Sequence, residues 1–384
     1  MLQRLPTLIS AFAVAHVLAN PAPAPAPAAA PDLGNAAIQR SNISCTFSGT
    51  DGWALAHVSK TACSTIVLSS LTVPGGKTLN LDGLNKGTTV IFQGNTTFGY
   101  SEWAGPLFSV SGNQITVKGD PGSLLDGQGA LYWDGKGGSR GKTKPKFFRA
   151  NNLNDSILDS ITIINAPKNC YSLNFIHNLT IINPTIDDRI GDALGKNTDG
   201  FNINNANGIY ITGAKVWNQD DCVAINSGSN IIFEQGFCSG GHGLSIGSVG
   251  LVANPPFVSN VTFQDTIMEK SQQSVRIKTV TNATGTVDNI TYRNIQMSGG
   301  SAYGIIVMQS YNGKNGHPTN GVNITNFVMQ NVTGTVLPVA VNVYVECGVG
   351  TCRDWKWDGV SVTGGQSAAN STLPCQNVPE GISC

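Results

Sequence analysis

A short phrase recurs along the chain, made of a polar residue or glycine followed by alternating apolar positions. It reads Ser160-Ile-Thr-Ile, Asn178-Leu-Thr-Ile, Gly208-Ile-Tyr-Ile, Asn230-Ile-Ile-Phe, Asn260-Val-Thr-Phe, Asn289-Ile-Thr-Tyr, Asn323-Ile-Thr-Asn and Gly359-Val-Ser-Val. Alternation of period two places the apolar side chains on one face of a strand. Successive phrases begin 18 to 36 residues apart. Each unit therefore has room for two or three short strands and their turns. Helical solenoids need amphipathic runs of ten or more residues, and this pattern has none. The pattern predicts an all-β solenoid whose coils stack and whose variable length goes into loops. A β-sandwich would not require one strand phrase to recur over about 200 residues.

A solenoid exposes its core at both ends and needs caps there. The segment from Thr50 to Cys63 is predicted to be a short N-terminal capping helix, with Trp53, Leu55, Ala56 and Val58 near its apolar side. The cysteine-rich tail from Cys347 to Cys384 is placed to close the other end. Ile, Val, Leu and Phe of the repeats are expected inside, with Asn and Gly in the turns.

The first 40 residues break the pattern. Arg4 precedes an apolar run from Leu8 to Leu18, and Ala19 supplies a small residue for cleavage. Residues 1–19 read as a signal peptide and the Pro/Ala-rich residues 20–40 as a pro-segment, leaving 41–384 as one catalytic β-helix domain. The expected product is secreted and extracellular, with no membrane partner. Nine cysteines agree with an oxidising compartment. Four pairs lie close in sequence: Cys45 with Cys63, Cys222 with Cys238, Cys347 with Cys352, and Cys375 with Cys384. Spacing alone leaves their connectivity open. Cys170 remains, in apolar surroundings that fit a buried free thiol. Ten Asn-x-Ser/Thr sequons beyond residue 40 point to a glycoprotein. The formal net charge is zero, so nothing draws the chain to nucleic acid.

Four segments concentrate chemistry: Asn197-Thr-Asp199, Asp220-Asp221, Gly241-His242-Gly243 and Arg276-Ile-Lys278. Asp199, Asp220, His242 and Arg276 are 21, 22 and 34 residues apart, close to coil intervals. Stacked coils bring equivalent residues to about 4.8 Å along the axis. Three acids, a histidine and two cations would then share one face. Glycoside hydrolysis needs one protonated and one ionised carboxyl, and crowding separates their pKa values. Arg276 and Lys278 lie two apart on one strand face, suited to a substrate carboxylate. Adjacent Asp220 and Asp221 would face opposite ways on a regular strand, so a bend or bulge is expected there.

These four segments, in this order, resemble the signature of the fungal polygalacturonases of glycoside hydrolase family 28. The similarity runs from about Cys45 to Cys384 and includes the cysteine pairs and Tyr311. It implies a right-handed parallel β-helix and endo-hydrolysis of α-1,4-linked galacturonate in pectin with inversion, by a monomer needing no cofactor or metal. It implies Asp220 as general acid, Asp199 and Asp221 as holders of the attacking water, and His242 beside the acid. Arg276, Lys278, Tyr311 and Asn197 would bind or support substrate, and the four cysteine pairs would be disulfides. Plant inhibitor proteins are a partner class that the resemblance opens. One departure is visible, since many members carry Asp where this chain has Asn202. The rival readings are an exo-polygalacturonase or rhamnogalacturonan hydrolase of the same family, a calcium-dependent pectate lyase, and a non-catalytic β-helix.

Overall fold

The computed structural model describes residues 43–138, 140–251, 256–370 and 374–384. The signal peptide and pro-segment expected from the sequence lie outside the described residues. So does the sequon at Asn42.

The described chain winds as a parallel β-helix. One coil holds the strands Tyr171–Asn174, His177–Ile182 and Thr185–Asp187, and the next holds Phe201–Asn204, Ala206–Thr212 and Lys215–Trp217. Each strand pairs in parallel with its counterpart one coil on, as Tyr171 with Phe201, Leu179 with Ile209 and Ile186 with Val216. Three strips of parallel sheet result. In later coils the second and third strands run together as Phe257–Glu269, Gly285–Gly300 and Val322–Val336.

Alternation sends every second side chain inward. A line of rings follows the axis, including Phe108 on Phe148 at 4.4 Å, Tyr171 on Phe201 at 5.1 Å and Phe263 on Tyr292 at 4.8 Å between centroids. Each such pair adds roughly 0.5–1.5 kcal/mol to the burial of its area.

Seven of the eight recurring phrases sort into two turn rows. Asn178, Gly208, Asn230, Asn260 and Asn289 share one row, all with positive φ. Ser160 and Gly359 belong to the next corner, in register with Asn183, Gly213 and Asn331, again all at positive φ. Asn tolerates this left-handed backbone because its short amide bonds locally. In the first row the amides also join coil to coil: Asn230 Nδ2 donates to Asn207 Oδ1 at 2.6 Å, and Asn260 Nδ2 donates to Asn230 Oδ1 at 2.6 Å.

The capping helix is shorter than expected, covering Gly52–Ser59. It rests on the first coil through buried Gly52 and Ala56, with Trp53 packed partly against the core. Leu55 and Val58 instead face solvent, because residues i and i+4 set the contact stripe and neither belongs to it. All four cysteine pairs are disulfides, and Cys170 is free and buried.

Candidate active site

One strip of sheet forms the floor of a cleft. Its strands align Phe148, Tyr171, Phe201, Val223, Leu244 and Val275 from coil to coil. Two residues ahead of these stand Lys146, Asn169, Asp199, Asp221, His242 and Gln273. Asp199 and Asp221 are therefore axial neighbours. The true coil partner of Asp199 is Asp221, and Asp220 stands one position further back.

The two adjacent acids reach the same site because residues 218–221 form a bend between the strands Lys215–Trp217 and Val223–Ile225. Asn218 pins the bend by donating to the carbonyls of Thr198 at 2.8 Å and Asp221 at 3.0 Å. The disulfide Cys222–Cys238 ties it to the strand Phe237–Ser239.

Each carboxyl has its own surroundings. Asp220 Oδ1 lies 2.9 Å from His242 Nδ1 and accepts the Asp221 backbone N–H at 2.8 Å. Asp220 Oδ2 accepts Asn197 Nδ2 at 3.0 Å. The Gly138 N–H donates to Asn197 Oδ1 at 2.8 Å, which turns the Asn197 amino group toward Asp220. Asp221 accepts Ser245 Oγ at 2.6 Å and Lys278 Nζ at 2.6 Å, with Arg276 Nη1 at 3.5 Å. Asp199 accepts Asn202 Nδ2 at 3.1 Å. Asn202 in turn accepts the amides of Asn204 and Asn226.

Crowding divides the protons. Burial, reinforced by the charges of Asp220 and Asp221, pushes Asp199 up to about 8. Burial also opposes ionisation of Asp220, but the His242 hydrogen bond and charge, with Lys278, override it and hold Asp220 below the usual carboxylate range. The surroundings thus pull the two carboxyls apart, raising Asp199 by burial and like charge and lowering Asp220 through His242 and Lys278.

The expected residues come together. Asn197, Asp199, Asp220, Asp221, Lys278 and Tyr311 line one cavity of about 620 Å³. The Tyr311 ring lies under both cations, 5.5 Å from Arg276 Cζ and 5.3 Å from Lys278 Nζ. His242 sits behind Asp220 and opens on a separate hollow lined also by Arg189 and Trp217. Its flanking glycines follow from crowding: a Cβ on Gly241 would lie 2.1 Å from the Asp220 carbonyl oxygen, and Gly243 has φ +89°. Asp220, Asp221 and His242 bring potential ligand atoms within 4.8 Å of one another. Lys278 and Arg276 already supply positive charge to Asp221, which opposes a cation there.

The sequence motifs did not reveal Lys146 and Lys168, or the carboxamides of Asn169, Asn174, Asn204, Asn205 and Asn226, all of which line the cavity. Counting two residues ahead of each floor strand would have found Lys146 and Asn169.

The fold and site define a β-helical glycan-cleaving enzyme with clustered carboxyls facing fixed cations. The match to the glycosyl hydrolases family 28 model spans residues 63–384, and the chain belongs to that family. It is 51% identical over 380 residues to a probable endopolygalacturonase C of Aspergillus aculeatus, covering 98% of this chain and 97% of the relative. It is 49% identical over 375 residues to endopolygalacturonase I of the same species, covering 97% of each. Among solved structures, endopolygalacturonase I from Stereum purpureum, complexed with two galacturonate, superposes with a TM-score of 0.76 at 36% identity over 84% of this chain and 95% of that one. The coil is the right-handed parallel β-helix of these enzymes, and the chain is a glycoside hydrolase with endo-polygalacturonase activity.

Proposed function

We propose that the cleft hydrolyses the α-1,4 bond between galacturonates with inversion, Asp220 acting as acid and Asp199 with Asp221 holding the water. In that step Asp220 gives its proton to the glycosidic oxygen as the C1–O bond breaks. A water on the opposite face attacks C1 and loses its proton to the paired carboxylates. The observation that carries this reading is the coil register, which stacks Asp199 on Asp221 while His242 and Asn197 hold Asp220 apart. Arg276 and Lys278 bind the substrate carboxylate, which would draw Lys278 from Asp221 and free that carboxylate for water. The carboxamide Asn202 donates to Asp199 and so favours its ionised, proton-accepting form. The protein works as a secreted monomer on polygalacturonate, a setting that suits four disulfides.

A second reading is favoured by the raised Asp199. There Asp199 carries the catalytic proton and Asp220 is the base. An aryl oligogalacturonide with a good leaving group separates the two, because such a substrate needs little acid assistance. We expect Asp220→Asn to lose about 10³-fold or more on polygalacturonate and to recover most of that loss on the aryl substrate. Recovery in Asp199→Asn instead would exchange the roles.

A further inference from the structure

We propose that Lys146 and Lys168 form a second carboxylate-reading subsite, on the N-terminal side of the acids, so that the cleft reads free uronate carboxylates on both sides of the cut. The proposal rests on Arg276 and Lys278 being the carboxylate pair at the cut itself.

Both lysines line the cleft cavity. Neither forms an ion pair among the described residues. The acids that line the cavity are Asp199, Asp220 and Asp221, and each is held elsewhere, by Asn202, His242 and Lys278 respectively. Lys146 is half-buried, and its ammonium donates to Ser172 Oγ at 3.3 Å. The Lys168 ammonium is seated over Gly138, where a Cβ would come within 2.4 Å of it. Burial and the charges of Lys168 and Arg149 push the Lys146 ammonium below its ordinary range, against the opposing pull of Asp199. Two like charges are thus held near each other in a partly dry cleft without a counterion. An anion between them would relieve both the repulsion and the unpaired burial.

Position selects the anion. Lys146 is two coils N-terminal to Asp199 in the same column, and Lys168 directly precedes Asn169, one coil away. Arg276 lies three coils beyond Asp199 on the other side. At about 4.8 Å per coil, the backbone positions of the two pairs are roughly 19–24 Å apart, and the side chains of Arg276 and Lys278 reach back to Asp221, so that both cationic stations border the acids. A polymer carrying a carboxylate on every sugar satisfies both stations. A methyl-esterified stretch satisfies neither, since the ester has lost the charge. In the column the neutral amide of Asn169 stands between Lys146 and Asp199, and the amides of Asn174 and Asn204 line the same cavity, where hydroxyls would pass.

The test compares Lys168→Met, Lys168→Gln and Lys146→Met with the wild type on fully de-esterified oligogalacturonate and on randomly half-methyl-esterified pectin. Arg276→Ala is measured in parallel. The expected result for Lys168→Met is a roughly tenfold fall in the preference for de-esterified substrate, carried by KM, as for loss of one charge-assisted contact. Lys168→Gln should behave alike, so the test survives if Lys146→Met fails to fold. If Arg276→Ala shifts the preference and the folded Lys168 variants do not, the second subsite is overturned. If none of the variants shifts it, the carboxylate-pair reading of Arg276 and Lys278 falls as well.

Discussion

Asp188 shows what one buried group does to the whole. It is fully buried; its Oδ1 accepts the Ala166 N–H at 2.6 Å and its Oδ2 lies 3.4 Å from the Cys170 thiol. Burial pushes it up to about 7. A carboxyl raised in the fold binds its proton more tightly there than in the unfolded chain. Its stabilisation is complete below the unfolded value near 3.8 and is lost as pH rises through about 7. Asp199 acts in the same sense up to about 8. The melting temperature should therefore fall steadily between pH 4 and pH 8. Asp188→Asn keeps an acceptor for Ala166 but cannot titrate, so calorimetry across that range should show a shallower fall. An unchanged slope would remove Asp188 from the account. At this scale the sequence was legible where residues cluster in motifs: Asp199, Asp220, Asp221, His242, Arg276 and Lys278 all reach one site. Asp188 and Lys146 were not, because only coil register shows what they face. Register also explains the uneven marker spacing. The residue one coil on from His242 is Gln273, whereas Arg276 sits three residues further along the same strand, Gln273–Val280.

At the scale of the element, the recurring phrase was readable but its phase was not. Asn178 and Asn260 share one corner, while Ser160 and Gly359 mark another, and the two corners look alike in sequence because both demand a left-handed turn. Asn323 fits neither row, since it pairs with Thr286 and the turn residue of that coil is Asn326. The capping helix was overextended for a related reason: Leu55 and Val58 suggest an apolar side, yet the contact is made by small residues. The turn rows can be tested at Asn230, which has φ 58° and bonds to Asn207 and Asn260. Asn230→Ala loses the ladder and strains the backbone, for a cost of about 2 kcal/mol. Asn230→Gly loses only the ladder and should cost about half as much, because glycine accepts positive φ, as Gly208 already does in the same row. Urea unfolding separates them. Equal losses would mean that the backbone requirement is not what keeps asparagine there.

The whole molecule behaves as a column with two ends. Each coil is covered by its neighbours, so the core is vulnerable where coils stop. At the first strand, Ser44–Gly49, the Cys45–Cys63 disulfide fastens the chain just beyond the capping helix to the coil beneath. At the far end Cys347–Cys352 and Cys375–Cys384 hold the tail, which bridges back through Gln366 and Gln376. The clustered acids lie several coils from the N-terminal cap, so stability and chemistry should separate there. Replacing both Cys45 and Cys63 by Ser removes a cross-link closing an 18-residue span. Loop entropy puts the loss at about 3 kcal/mol. The double variant should melt several degrees lower and scatter light sooner on heating, as an uncapped strand edge meets another chain. Its kcat/KM on polygalacturonate at 20 °C should stay within about twofold of wild type, because that chemistry needs only coils the cap does not touch. A large loss of turnover in the folded, cool protein would show that the cap also sets the cleft geometry, and the column would then have to be treated as one cooperative body rather than a stack of neighbours.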